Sequence, residues 1–238
     1  VEIMLVTITN TGRMAQTVTP TAAIPLYGRS ADNIRDHRHV TSLLHRIETT
    51  DTGVLVTPTL SFDERGHQVN HMTYYCVGWS GNGEKPVDFY PTAEDFVGEG
   101  GNFERPYAIV KNAEGVKAGT KIEGLEAVGG LHFSEITLEP EEECSYLIFT
   151  GITEDIQEIR NLSKTYTTRE KVLEELEKTK AYWQEKVNVA YHTGDSDFNQ
   201  FMHWVSFQPI LRRIYGCSFL PVSYTHLRDH ETCADLVC

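Results

Sequence analysis

The feature that most constrains this chain is a succession of short β-type runs with no helical period between them. Over residues 1 to about 152 these are "VEIMLVTITN", "AQTVTPTAAIPLYG", "HVTSLLHRIETT", "GVLVTPTLSF", "HMTYYCVGW", "GLHFSEITLEP" and "CSYLIFTGI". Each is rich in β-branched or aromatic residues. Each is bounded by Gly, Pro, Asn or Asp, which set turns rather than continue an element. Short strands with no helices to carry crossovers pair antiparallel and bury a face against a second layer. The first 152 residues are therefore expected to form an antiparallel β-sandwich. "HVTSLLHRI" could make a helical turn, but its place between strands predicts a strand.

The pattern changes after residue 152. "GITEDIQEIRNLSKTY" is charged, with Ile152, Ile156 and Ile159 near helical spacing. Residues 167 to 190, "TTREKVLEELEKTKAYWQEKVNVA", predict a helix. Thr167 and Glu170 have the spacing of a capping box, and Leu173, Leu176, Trp183, Val187 and Ala190 fall near one face. A second helix is predicted from about Ser196 to Tyr215. Phe198, Phe201, Met202, Trp204, Val205, Phe207, Ile210, Leu211 and Ile214 surround its axis. Pro209 should kink or divide it, because it donates no backbone hydrogen bond, and Gly216 is placed to end it. A helix apolar on all sides is expected inside a larger assembly, so the domain it opens is expected to lie mostly outside this chain. Val1 stands where an initiator Met would, which likewise predicts a fragment.

Composition narrows the partners. Among 238 residues, 21 are Lys or Arg and 34 are Asp or Glu, a net charge of -13. Binding to nucleic acid needs concentrated positive charge to displace counterions, so neither nucleic acid nor an anionic membrane surface is an expected partner. No apolar run reaches the roughly 18 to 20 residues of a membrane span. The chain opens directly on strand-like sequence. Its five cysteines are scattered and odd in number, which does not suit a disulfide framework. A reducing, cytoplasmic compartment is expected.

The densest polar cluster is "ADNIRDHRHVTSLLHRIE". Arginines beside an aspartate can hold sugar hydroxyls or phosphate through charge-assisted bonds, or tie one domain to another as an ion-pair network. Arg35, Asp36 and Arg38 are therefore the candidate substrate-binding or domain-interface residues. If the segment is a strand, Asp36 and Arg38 share one face, and Arg35, His37 and His39 the other. Zinc at His37 and His39 lacks an indicated third ligand. "PTAEDFVGEGGNFERP" carries Glu94, Asp95, Glu99 and Glu104 among Gly98, Gly100 and Gly101, and reads as a solvated loop. Its "GEGG" lacks the strand–loop–helix setting of a nucleotide cradle. Cys76 and Cys144 lie in apolar strand patterns and read as core thiols.

The blocks "ADNIRDHRHVTSLLHRIE", "VTPTLSFDERGHQVN", "FYPTAEDFVGEGG", "ITLEPEEECSYLIFTGI" and "FNQFMHWVSFQPILRRIYGCSFLP" resemble the N-terminal region of glycoside phosphorylases of glycoside hydrolase family 94. The likeness spans residues 1 to about 221. Within the family it is nearest the β-1,2-oligoglucan phosphorylases, with cellobiose phosphorylase a further member. The resemblance implies a galactose-mutarotase-like β-supersandwich, a helical linker, and then an (α/α)6 catalytic barrel. On that basis residues 1–152 are the supersandwich, 153–194 the linker, and 195–221 the start of the barrel. Residues 222–238, "VSYTHLRDHETCADLVC", depart from the family pattern and resemble translated sequencing-adapter read-through. No metal role is expected for their His226, His230, Cys233 and Cys238.

The resemblance also implies a reaction. Inorganic phosphate, a co-substrate rather than a cofactor, attacks the anomeric carbon of a β-linked glucan with inversion, giving α-glucose 1-phosphate. The general acid and the phosphate site lie in the barrel, so no catalytic residue carries over to this chain, which alone is expected to be non-catalytic. No organic cofactor or metal is implied. In some members a loop of a homodimeric partner closes the active site. Two other readings remain open: a stand-alone carbohydrate-binding β-sandwich, and the phosphorylase-like region of a cyclic β-glucan synthase.

Overall fold

The computed structural model describes residues 1–28, 38–63 and 66–215, leaving aside the side chains of 38, 39, 61–63, 67 and 210–215. Two compact units divide the chain at Leu173/Glu174. The first is mainly antiparallel β-sheet. Its largest sheet has six strands: β1 (Glu2–Thr9), β13 (Glu143–Thr153), β8 (Thr73–Ser80), β5 (Gly53–Val56), β4 (Arg46–Thr49) and β10 (Lys121–Glu123), in that spatial order. A second sheet orders β3 (Thr21–Leu26), β11 (Ala127–His132) and β9 (Asp88–Thr92). Two hairpin-sized pairs complete the unit: β2 (Gln16–Val18) with β12 (Ile136–Leu138), and β6 (Leu60–Asp63) with β7 (Gly66–Val69).

The six-stranded sheet is covered on both faces, and the strand period of two sorts its side chains between them. Val54, Val56, Cys76, Tyr146 and Ile148 point into one core, where Phe89, Leu131 and Phe133 meet them from the three-stranded sheet and the segment after it. Leu55, Tyr75, Val77, Trp79, Leu147 and Phe149 point the other way. There they meet Ile159 and Leu162 of helix α4 (Ile156–Thr165), Val172 of helix α5 (Arg169–Lys186), and Tyr166 between them. Trp79 and Tyr166 each stack on Phe149, with centroids 4.6 and 5.7 Å apart. The Trp79 indole N–H donates to the Tyr166 carbonyl at 2.8 Å. Each such fully buried side chain contributes about 1.5–3 kcal/mol, which is why the centre of β13 and β8 reads as continuous apolar sequence rather than as alternation.

Several expectations are corrected. Three runs read as single strands are each two: β2 and β3, β5 and β6, and β11 and β12. Pro20 and Pro58 fall in the first two breaks, where a missing N–H interrupts a ladder. "DFYPT" was not expected as a strand, yet it forms β9 despite Pro91. It is an edge strand, and Pro91 falls within the register shift between its pairs with Ala127 and Gly130. Pro25 likewise sits on β3, the opposite edge. The central strand β11 carries Gly129 at its closest approach to the large sheet, where a Cβ would lie 2.2 Å from Cys76 Cβ. "HVTSLLHRI" is not one strand. Residues Arg38–Ser42 form a helical turn, α1, and the chain straightens only at Arg46.

The helices differ in detail from expectation. Asp155 caps α4, accepting from the Gln157 N–H at 2.8 Å. The first turn of α5 closes on Thr168 rather than Thr167, with the Val172 N–H on the Thr168 carbonyl. The Glu170 carboxyl is held below its ordinary range by its own backbone N–H and by the Thr168 hydroxyl. α5 ends at Lys186, short of residue 190, and buries Val172, while Leu173 and Leu176 are exposed. In the second unit, α6 (Ser196–Tyr215) runs undivided through Pro209. Phe207 packs between Trp183 of α5 and Trp204, with centroids 4.7 and 5.4 Å away. Phe198, Phe201, Trp204 and Val205 are exposed. The segment 222–238 and Gly216 lie outside the described residues, as do Arg35 and Asp36.

Candidate functional site

One end of the sandwich gathers the polar and aromatic side chains that a ligand could meet. β3 and β9 finish there and β11 begins there, since Leu26 and Thr92 both pair with Ala127. β4 begins and β10 ends beside them, with Arg46 opposite Glu123. The connections between these strands are therefore forced into one cluster. α1 leads into it from residue 38, and α2 (Ala93–Val97) leads out of β9.

His45 is the buried anchor of this end, at 3 % exposure. Its Nδ1 lies 3.1 Å from the Leu125 carbonyl, and its own carbonyl accepts from the Gly124 N–H at 3.0 Å. Among the described residues Nε2 meets no well-directed hydrogen-bond partner, although the Gly28 carbonyl is close enough to favour its protonation. Burial outweighs these contacts and lowers the imidazole pKa below its ordinary 6.5. The ring thus ties the end of α1 to the β10–β11 connection. A small hollow bounded by Tyr27, Ser42, His45, Ala93 and Phe103 joins α1 to the segment after α2.

The stretch expected to be a solvated loop, residues 91–106, instead forms α2 over its first part and leads by turns into α3 (Tyr107–Val110), and the two helices frame a cleft of about 340 Å³. Thr92 caps α2, accepting from the Asp95 N–H at 3.1 Å and donating to the Asp95 carboxylate at 2.6 Å. Phe96 is the buried side of α2 and packs beside Tyr90. The far wall is residues 113–116, strapped to β9 by paired backbone bonds between Phe89 and Val116. The Tyr90 hydroxyl also donates to the Ala113 carbonyl at 2.6 Å. Burial, and then the Asp88 charge, raise the Tyr90 pKa, so this phenol stays protonated as a donor. Glu94, Asp95, Glu99 and Glu114 line the cleft, and among the described residues no Lys, Arg or His does. Such a lining accepts hydrogen bonds from hydroxyl groups and repels phosphate.

At the opposite end of the three-stranded sheet, Asp88 and His132 pair across β9 and β11, with Oδ1 and Nδ1 2.6 Å apart. Lys117 stands 3.9 Å from the other Asp88 oxygen. A buried carboxylate needs such partners, and this trio pins residues 115–117 to the sheet.

Of the residues singled out from sequence, Arg38 begins α1, so its backbone belongs to the gathered end; its side chain and the whole of Arg35 and Asp36 lie outside the described residues. The alternation proposed for Asp36 and Arg38 required a strand at Arg38, and the helical turn removes it. Sequence reasoning missed the cleft. Its available signal was Thr92 three residues before Asp95, an N-cap pattern at the end of a run containing two aromatics.

A two-sheet antiparallel sandwich with helices laid over the outer face of its larger sheet is the architecture of a supersandwich. Residues 1–169 match the supersandwich domain of glycosyl hydrolase family 94, and the chain belongs to that family. No curated protein matches the chain. Among the described residues, no helix is long and apolar enough to cross a membrane.

Proposed function

We propose that this chain is the supersandwich portion of an inverting glycoside phosphorylase, which cleaves β-linked glucans with inorganic phosphate to give α-glucose 1-phosphate. The observation that carries the reading is the family match over residues 1–169. Phosphorolysis needs an acid to protonate the leaving sugar and cations to hold phosphate. Among the described residues the main cleft is lined by carboxylates and tyrosines and by no cation, which suits a part that shapes and holds substrate while the chemistry occurs elsewhere. The apolar α6 is read as the first helix of the catalytic barrel. Arg35, Asp36 and Arg38 are proposed to face that barrel or a partner subunit, and to hold the sandwich at a fixed angle over the sugar. The free Cys76 and Cys144 thiols support a cytoplasmic setting.

The test is direct. The chain alone, incubated with phosphate and either β-1,2-glucan or cellobiose, should give no glucose 1-phosphate, because positioned acid catalysis is worth roughly 10² to 10⁴ in rate. The complete parent enzyme should give the α-anomer. Product from the chain alone would move the active site into the sandwich. A parent that releases free sugar instead of sugar phosphate would remove phosphorolysis.

A further inference from the structure

Two clefts meet at one exposed side chain. Tyr107, 51 % exposed, stands between the 340 Å³ cleft and a second of about 260 Å³ bounded by Arg105, Val110 and Lys111. Gly98 and Glu99 line both. The larger cleft is at the lower end of the roughly 300–1,000 Å³ typical of small-ligand sites, and the smaller falls below it. The ridge depends on Gly98, which has φ 77° and where a Cβ would lie 2.7 Å from Tyr107 Cβ. No larger residue lets Tyr107 root there. The opposite wall is held by the Phe89–Val116 bonds and the Tyr90 hydroxyl, so the larger cleft is preformed.

Its chemistry selects among ligands. The carboxylates repel anions. They are also dispersed, and among the described residues no group of three or more His, Cys, Asp or Glu gathers as a metal ion would require. A neutral molecule with an apolar face for the tyrosine and a rim of hydroxyl donors for the acids fits this lining. A pyranose ring has both. We propose that Tyr107 and the larger cleft form a saccharide subsite, in which a glucosyl ring lies against Tyr107 and its hydroxyls donate to Glu99 and Glu114. The subsite holds a glucan chain apart from the bond being broken, and it rests on the reading of the substrate as a β-glucan.

Titration calorimetry of the full chain, with β-1,2-linked and β-1,4-linked glucopentaoses and no phosphate present, tests this. Saturable binding is expected for at least one. Tyr107→Ala should weaken it roughly tenfold, the loss of one aromatic contact, with an unchanged thermal midpoint. Glu114→Gln should weaken it by a smaller factor, and it serves as the arm that preserves folding if Tyr107→Ala does not. Inorganic phosphate should not compete. No saturable binding with either sugar, unaltered binding by both variants, or competition by phosphate would overturn the subsite. Binding is read here without turnover. Loss of binding beside intact phosphorolysis by the parent therefore removes the subsite alone, whereas binding beside a parent inactive with phosphate removes the reaction alone.

Discussion

The centre of the large sheet and helix α6 are both strongly apolar, and the structure treats them oppositely. "TYYCVGWS" of β8 is buried along nearly its whole length, with Trp79 only 3 % exposed. On α6, Phe198, Phe201 and Trp204 are all exposed, Trp204 at 56 %. The difference lies in the layers rather than in the residues. β8 has the three-stranded sheet on one side and α4 with the start of α5 on the other, whereas α6 meets Trp183 along one edge. Hydrophobicity states a demand for cover; topology decides whether it is met.

The comparison breaks most visibly if Phe149 is truncated without effect. Phe149→Ala removes a ring stacked between Trp79 and Tyr166, and should cost about 3–5 kcal/mol in urea denaturation. Next in size is Gly129→Ala, which drives a methyl into Cys76. Overpacking of this kind should cost about 1–3 kcal/mol, and an unchanged midpoint would mean that the two sheets separate easily.

A smaller effect comes from His45, where the covering layers bury an ionisable ring. Its folded pKa lies below the unfolded 6.5, so the unfolded chain binds the extra proton first as pH falls. The stability tied to neutral His45 is therefore complete above 6.5 and is lost progressively below it, toward the folded pKa. Denaturation midpoints from pH 7.5 down to 5.5 should fall less steeply in His45→Gln than in the natural chain. Parallel slopes would mean that the ring is open to water.

Smallest of all, Trp204→Ala should shift stability by no more than about 0.5 kcal/mol by the same urea assay. A larger loss would show that α6 is covered after all. Beneath even that lies a contrast with no stability effect. Burial pushes the Cys76 thiol up to about 12, so an alkylating reagent at pH 8 should spare it in the folded chain and modify it in urea.

Much of the fold was legible because its signals are local. The turn residues punctuated the strands, the spacing of Ile156 and Ile159 hinted at α4, and the pattern of residues 167 to 190 predicted α5, which ends at Lys186. The candidate site was legible only in part. "RDHRH" drew attention to the segment that leads into the gathered end through α1, but nothing local shows that residues 28, 45, 93 and 126 converge there. The acidic, glycine-rich stretch read as solvated because each carboxylate is indeed exposed; the cleft exists only once residues 113–116 are strapped to β9.

By itself, then, the sequence determined the mainly β class, the antiparallel pairing and the helices that follow, since periodicity and turn chemistry act over a few residues. Tertiary structure alone decided which face of each strand is covered, that a proline-bearing segment could serve as the edge strand β9, and that Arg38 opens a helical turn instead of a strand. Those outcomes depend on partners distant in the chain. Pro91 is tolerated because an edge strand need not donate every N–H, and α1 closes because the buried His45 fixes its end against the Leu125 carbonyl.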